Sequence, residues 1–321
     1  MKAIGGYFEI ELGSERNDLW FKHSRKLNSA RHAFEFILLQ LEVLPSLIYI
    51  PYYTCDVILE PIRRLGLNFK FYHINSNLEI DDLPSLSGNE YIVVNNYFGI
   101  KDSYIDNLFS YYKSNLIVDN AQAFYYPNRI GIKAFYSPRK FFGVPDGGIA
   151  WSSESRDIAL ENDYSTDRAL HLIRRLDESA EAGYDEFLKN ETALSNEKMK
   201  LMSSLTSRIL ETIDYERVKI KRRSNFEMIH LSLGDQNNLN IPDWNTFACP
   251  MIYPFWNGNK DLRKQLIKNK IFVATYWPNV LKWCTPDMVE YNLAQNIIPI
   301  PIDQRYGEEE METVIKLIKE Y

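Results

Sequence analysis

Between residues 29 and 121 the chain alternates short apolar runs with amphipathic stretches of helical period, and few folds accept that order. SARHAFEFILLQLE (29–42) gathers Ala33, Phe34, Phe36, Ile37, Leu38 and Leu41 on one helical face, with Ser29 where an N-cap belongs. LIYIPYY (47–53), FKFYHI (69–74), YIVVNNY (91–97) and LIVDNA (116–121) are β-branched and aromatic runs that read as buried strands. Among them lie TCDVILEPIRRLG (54–66), a helix that Pro61 should kink or shorten and Gly66 should close, and DSYIDNLFSYYKSN (102–115), a helix capped by Asp102. Strands spaced by helices in this way predict an α/β fold built on a parallel sheet covered on both faces, with right-handed crossovers. Such a sheet keeps its binding site at the carboxyl ends of its strands.

The pattern changes near residue 153. Residues 155–213 contain one glycine and no proline, which predicts two or three long helices. YERVKIKRR (215–223) reads as a basic crossover whose charges form a solvated face. From NFEMIHLSL (225–233) onward short strands and helices recur, and EEEMETVIKLIKEY (308–321) is an amphipathic helix with an acidic first turn. The expected division is a large domain over 1–214, including the N-terminal segment, and a small α+β domain over 215–321.

Several function classes are excluded by composition. With 45% hydrophobic residues among 321, the chain can bury a core, so disorder is not expected. A formal net charge of -6 argues against a general nucleic-acid binder. Cys55, Cys249 and Cys284 are far apart and form no CxxC pair, and the five histidines form no HExxH, so neither a disulfide framework nor a metal site is expected. The opening MKAIGGYFEIEL lacks the regions of a signal peptide. The longest apolar stretches fall short of the roughly 18 residues that a membrane helix needs. A soluble cytoplasmic protein with neither membrane nor nucleic-acid partner is expected. Aromatic residues at 14% imply wide apolar surfaces, either core or subunit interface.

Four segments carry candidate chemistry. In LIVDNAQAF (116–124), Asp119 ends an apolar strand and Gln122 follows three residues later. A carboxylate there is costly unless it meets a cation or a donor, although an ordinary strand-end aspartate also fits. In AFYSPRKFFGVPDGGIAWSS (134–153), Lys140 lies between two strand-like pieces, next to Arg139 and ahead of two aromatics, while Gly147 and Gly148 permit close backbone approach. Apolar and cationic neighbours make a lysine a usable amine nucleophile; a surface lysine reads the same way in isolation. In KLNSARHAF (26–34), the helix start at Ser29 aims the amides of residues 30–32 at an anion, or Ser29 is a cap and nothing more. In IPYYTCDV (50–57), Thr54 and Cys55 stand at the same sheet edge, where Cys55 also fits as a small buried hydrophobe.

Together these segments resemble the fold-type I pyridoxal-phosphate enzymes, and within them the nucleotide-sugar aminotransferases of the DegT/StrS type. NSAR (28–31) is similar to that family's NSGT-like helix start, and Asp119 with Gln122 to its strand-end pair. Lys140 precedes Gly148, the second glycine of PDGG (145–148), by eight residues, since 148 − 140 = 8. IIPIPIDQRYGEEEMETVIKLI (297–318) resembles the closing strand and helix, so the likeness spans nearly the whole chain. It implies a large domain with a mostly parallel sheet flanked by helices, plus a smaller C-terminal α+β domain.

The resemblance also implies roles. Lys140 would hold pyridoxal 5'-phosphate as an internal aldimine and then move protons as general acid and base. Asp119 would pair with the protonated ring nitrogen, and Gln122 would approach the ring or its 3-hydroxyl. Ser29, Ala30 and Arg31 would line the phosphate cup, Thr54 and Cys55 would lie against the cofactor, and two copies would form a homodimer with the site at their interface. Some positions depart from the pattern. Ala30-Arg31 replaces a Gly-Thr pair, so that the Arg31 guanidinium stands in for a hydroxyl. Phe135 replaces a serine five residues before the lysine, with Ser137 as the substitute, and Asp146 replaces a glutamate in the turn.

The implied reaction moves an amino group from an amino acid such as glutamate to a keto-sugar nucleotide. Sugar dehydration is the second reading, disfavoured by Lys140 because relatives of that kind carry histidine there. A non-catalytic or regulatory protein that keeps the fold is the third, disfavoured by the intact Asp119, Gln122 and Lys140 set. A sugar nucleotide carries a diphosphate, which needs fixed cations. Arg174, Arg175, Arg222 and Arg223 are the arginines available in the divergent segment, and Asn225 and Trp277 add a polar contact and a flat apolar face. At least one of these arginines is expected at the mouth of the site.

Overall fold

A computed structural model describes residues 12–13, 24–153, 156, 158–241 and 243–321. The expectation drawn from the first eleven residues lies outside that range. Among the described residues, seven strands form one sheet: β1 (Arg25–Leu27), β2 (Leu47–Pro51), β3 (Phe69–Tyr72), β4 (Glu90–Asn95), β5 (Leu116–Asn120), β6 (Lys133–Tyr136) and β7 (Gly148–Trp151). Their spatial order is β1-β7-β6-β5-β4-β2-β3. Every pairing from β3 to β6 is parallel, and β7 runs antiparallel to both β6 and β1. The sheet is therefore mostly parallel, as the alternation of runs predicts.

Side-chain alternation splits the core. Val93, Ile117 and Phe135 are register partners or neighbours that face helix α1 (Ala30–Gln40), where Phe34 lies 5.1 Å from the Phe135 ring. Phe135 is thus a core residue under α1. Ile92, Val94, Leu116, Val118 and Tyr136 point the other way. They join one apolar cluster with residues of α7 (Tyr215–Leu233), β8 (Ile252–Phe255), β9 (Ile298–Pro301) and α11 (Glu308–Glu320). β8 and β9 form a second, antiparallel sheet of two strands.

Most helix boundaries agree with the sequence reading, and the exceptions have local causes. Pro61 sits third in α2 (Leu59–Arg64), inside the first turn, where no intrahelical N–H partner is lost. Gly66 closes that helix with φ 64. Asp102 begins α3 (Asp102–Tyr112) but does not cap it; its carboxylate accepts from Asn96 Nδ2 at 2.7 Å and from Ala248 N at 2.7 Å, tying distant chain to the sheet edge. The described residues of 155–213 hold three short α-helices, α4 (Leu170–Asp177), α5 (Tyr184–Asn196) and α6 (Ser204–Glu211), instead of long ones. Residues before α6 are drawn into extended pairing: Asn28 N donates to Lys200 O at 3.0 Å, and Leu201 bridges both Leu27 and Asn162. Residues 215–223 form the first half of the 19-residue α7, not a crossover, because Lys and Arg are good helix formers and Val218 and Arg222 face inward. None of the described helices is long and apolar enough to cross a membrane.

Candidate active site

The carboxyl ends of the parallel strands β2, β4, β5 and β6 lie along one edge of the sheet, and at the β7 end of that edge Ser29, at the start of α1, bridges Gly147. Ser29 caps that helix. Its Oγ accepts from His32 N at 3.1 Å, while His32 Nδ1 lies 3.0 Å from the same oxygen and 2.6 Å from Asn28 Oδ1. Burial, then Arg64 and Arg31, lower the His32 pKa to about 4, so its ring is neutral and serves as a polar spacer. Gly148 packs under this turn: a Cβ there would stand 2.0 Å from Ser29 O, so only glycine admits β7 so close to α1. The amides of Ala30 and Arg31 belong to the first turn, whose donors have no intrahelical acceptor. The Arg31 side chain points elsewhere, with Nε 2.8 Å from Glu60 Oε2 and Nη1 donating to Leu194 O at 2.9 Å.

Lys140 ends a short turn, Pro138–Lys140, that follows β6, and its side chain is exposed. Ser137 opens that turn and is buried. Arg139, next to Lys140, turns away to pair with Glu191. Burial pushes the Asp119 carboxyl up to about 6, opposed by the Lys140 ammonium and by the bond from Ala121 N to Asp119 Oδ1 at 2.8 Å. Burial also raises the Cys55 thiol, again opposed by Lys140. Lys140, Asp119 and Cys55 therefore share one electrostatic environment, while Arg139 is not the cation that accompanies Lys140.

Gln122 is 4% exposed. Its Oε1 accepts from Phe98 N at 3.1 Å, and its Nε2 is buried without a partner. Thr54 is fully buried; its Oγ1 lies 3.0 Å from Asn95 Nδ2, and its carbonyl accepts from Asn279 Nδ2 at 2.9 Å. Asn95, at the end of β4, pairs in register with Asp119, and its Oδ1 is buried and unpartnered. Sequence reasoning passed over Asn95, although a polar residue ending an apolar strand is the same signal that singled out Asp119.

Asp146 holds the PDGG turn against α6. Its carboxylate accepts from Ser203 N at 2.8 Å, Ser203 Oγ at 2.7 Å and the Thr206 hydroxyl. Gly147, with φ 124, leaves room for Pro138 beside it.

The six residues considered for substrate scatter. Arg222 is 2% exposed and spends its guanidinium on Gln304 Oε1 (2.9 Å), Met251 O (2.9 Å) and Phe141 O (3.3 Å). Asn225 Nδ2 is buried against the carbonyls of Ile302 and Tyr306 at 3.2 and 3.1 Å. Both are buried and join α7 to its surroundings. Arg223 binds Phe247 O at 2.6 Å and Asn245 O at 2.9 Å. Trp277 is buried edge-on to Tyr53 at 5.2 Å, in the seam near Thr54. On α4, Arg175 is exposed, while Arg174 is half-exposed, with Nε 3.9 Å from Glu178 and Nη1 3.5 Å from Ala182 O.

This fold is shared with solved sugar aminotransferases. The putative sugar aminotransferase Spr1654 from Streptococcus pneumoniae, in its apo-form, matches with a TM-score of 0.68 and 19% identity over 94% of this chain and 87% of its own. Its PLP-form gives 0.67 at 17% identity, covering 94% and 88%. A DegT DnrJ EryC1 StrS aminotransferase from Brucella abortus gives 0.64 at 16% identity, covering 94% and 86%. At these identities the likeness establishes the fold. No protein-family model and no curated protein matches the sequence.

Proposed function

We propose that the chain is a pyridoxal 5'-phosphate-dependent sugar aminotransferase that moves an amino group from an amino acid, with glutamate the expected donor, to a keto-sugar nucleotide. The observation that carries this reading is the placement of Asp119 at the end of β5 and of Lys140 on the turn after the adjacent, parallel β6, within electrostatic reach of each other, in a fold shared with sugar aminotransferases. The residues fit the cofactor. Asp119 is a desolvated carboxyl waiting for a cation, and Gln122 Nε2 is a buried donor with nothing to donate to. Thr54 and Cys55 form a wall near them.

Bound pyridoxal phosphate supplies an electron sink that makes the hydrogen beside the substrate nitrogen acidic. Lys140, exposed on a short turn, would hold the cofactor covalently, and its Nζ, once freed, would serve as the base and acid that takes up and gives back the substrate's proton. Asp119 would hold the ring nitrogen in its protonated form through charge pairing. Gln122 Nε2, buried without a partner, would be the donor available to an oxygen of the cofactor. Ser29 shapes the first turn of α1, so that the amides of Ala30 and Arg31 would receive the phosphate, with Ser137 on a nearby turn. Arg31 joins them only after releasing Glu60.

We assign residues 1–214 to holding the cofactor and residues 215–321 to a smaller part that closes on it through the Tyr276–Asn279 segment. We further infer a homodimer. Ile173 and Leu176 on α4, with Tyr184 and Leu188 on α5, are exposed apolar side chains that a second copy would cover.

The test is direct. Purified chain mixed with pyridoxal phosphate should gain a visible absorption band that borohydride bleaches, with the added mass on the peptide containing Lys140. Lys140→Ala should lose the band and all transamination while keeping its melting temperature, because the side chain is exposed. A band that survives Lys140→Ala would refute the assignment.

A further inference from the structure

Asn95 stands where a buried strand end should not hold a half-satisfied amide. It is 5% exposed, and one end of its side chain contacts Thr54 Oγ1 at 3.0 Å while the other is buried without a partner. A hydroxyl both donates and accepts, so the Thr54 contact is satisfied by either orientation of the amide. The free end has a neighbour. β4 and β5 are parallel with Asn95 opposite Asp119, and in-register residues of adjacent parallel strands put their side chains on the same face, about 4.8 Å apart along the sheet. That face continues the row of Val93 and Ile117 toward α1 and ends at the candidate cofactor site.

We propose that Asn95 is a positioning residue for Asp119: the Thr54 hydroxyl donates to Asn95 Oδ1, and Asn95 Nδ2 donates to the Asp119 carboxylate that meets the ring nitrogen. The inference rests on the pyridoxal phosphate reading of the site and adds two residues of its support. It satisfies the unpaired amide end and supplies Asp119 with a second donor beside Ala121 N, so that the carboxylate is held from two sides. The Thr54 carbonyl is in turn held by Asn279 Nδ2, which links the small part of the chain to the same relay.

The experiment is a double-mutant cycle on cofactor affinity. The dissociation constant of pyridoxal phosphate is measured by fluorescence quenching for wild type, Asn95→Val, Asp119→Asn and the double variant, with the melting temperature of each cofactor-free protein recorded. Asn95→Val should weaken binding about tenfold, the scale of one charge-assisted hydrogen bond, and shift the visible band. In the Asp119→Asn background the same change should cost less than about twofold, because the carboxylate through which Asn95 acts is gone. An equal loss in both backgrounds, or no loss in either, overturns the proposal. If Asn95→Val does not fold, Asn95→Asp replaces it; this isosteric change keeps the Thr54 contact, removes the donor, and must likewise lose affinity only when residue 119 is aspartate. A wild-type chain that binds no pyridoxal phosphate overturns the functional reading and this inference with it. Wild-type binding that Asn95→Val leaves intact overturns this inference alone.

Discussion

The backbone N–H of Phe98 donates to Oε1 of Gln122 over 3.1 Å, and this bond decides which end of the Gln122 amide stays free. Phe98 can aim its N–H that way because it holds φ 57, followed by Gly99 at φ 70. A Cβ at Gly99 would stand 2.8 Å from Cys249 O and 3.0 Å from Gln122 O, so the turn tolerates glycine alone. Phe98 O accepts from Met251 N at 2.8 Å, which ties the turn to the C-terminal part of the chain.

Gln122→Glu separates the two ends of that amide. The carboxylate still accepts from Phe98 N but has no hydrogen to offer the cofactor. Pyridoxal phosphate affinity should fall about tenfold, or roughly 1.4 kcal/mol. Gln122→Leu should lose the same affinity and also lower the melting temperature, because Phe98 N is then left unpaired. Fluorescence titration and thermal melts read the two effects apart. Unchanged affinity in Gln122→Glu would remove Gln122 from the cofactor's contacts.

Asp119 should make the cofactor-free protein less stable as pH rises. Its folded pKa of about 6 lies above the unfolded value near 3.8, so between those values the folded state binds the extra proton. Its contribution is therefore fully favourable below the unfolded value and is lost as pH climbs through 6, by about 3 kcal/mol in all. Asp119→Asn should raise the melting temperature of the cofactor-free protein at pH 7 and flatten its pH dependence between 4 and 7. Adding pyridoxal phosphate should reverse the order, because a ring cation stabilises the charged carboxylate of wild type alone. Identical melting profiles for the two proteins from pH 4 to 7 would show that Asp119 is not desolvated.

Much of this architecture is local and therefore legible in sequence. The Ser29 cap, the β5 run ending at Asp119 and the glycine pair after Lys140 are each set by residues within a few positions of one another. Three-dimensional neighbours decide the rest. Nothing near Asn95 in the chain reveals that it faces Asp119, which is 24 residues away across a strand pairing. The basic run 215–223 looks like solvated charge, yet Arg222 is enclosed by carbonyls 29 and 81 residues distant. Arg31, proposed for phosphate, is claimed by Glu60 on another helix, and charge spacing along the sequence carries no trace of that pairing.

Assembly is testable through the helical excursion. Leu176 is 84% exposed and Ile173 48%, on a helix whose other face packs against α5. Light scattering should report a dimer, and Leu176→Asp with Ile173→Asp should convert it to a monomer with an unchanged circular dichroism spectrum. If the dimer persists, or if wild type is an active monomer, the second copy does not cover this face.

The arginines divide into two groups with opposite expected behaviour. Arg222 stacks over the Phe141 ring at 4.6 Å and satisfies the carbonyls of Met251 and Phe141 and the Gln304 side chain. Arg222→Ala would take this donor from Met251 O and Gln304 Oε1 and leave a cavity, while Phe141 O keeps its 2.7 Å bond from Gln304 Nε2; it should cost about 3–5 kcal/mol, lowering the melting temperature sharply. Arg222→Lys should recover little of it, since an ammonium cannot span the same fork of acceptors. Arg175 is exposed and Arg174 half-exposed, so replacing either with Ala should leave the folding stability within about 0.5 kcal/mol of wild type. If the diphosphate of a sugar nucleotide docks against α4, in this subunit or from its partner, those two variants should raise KM for the sugar nucleotide while leaving KM for glutamate unchanged, because only the former carries the diphosphate. A protein that accepts small keto acids and is indifferent to both substitutions would rule out diphosphate docking at α4. It would also point to a simpler aminotransferase. Conversely, an Arg222→Ala protein that melts like wild type but binds the sugar nucleotide weakly would move the diphosphate site to the seam beside Phe141.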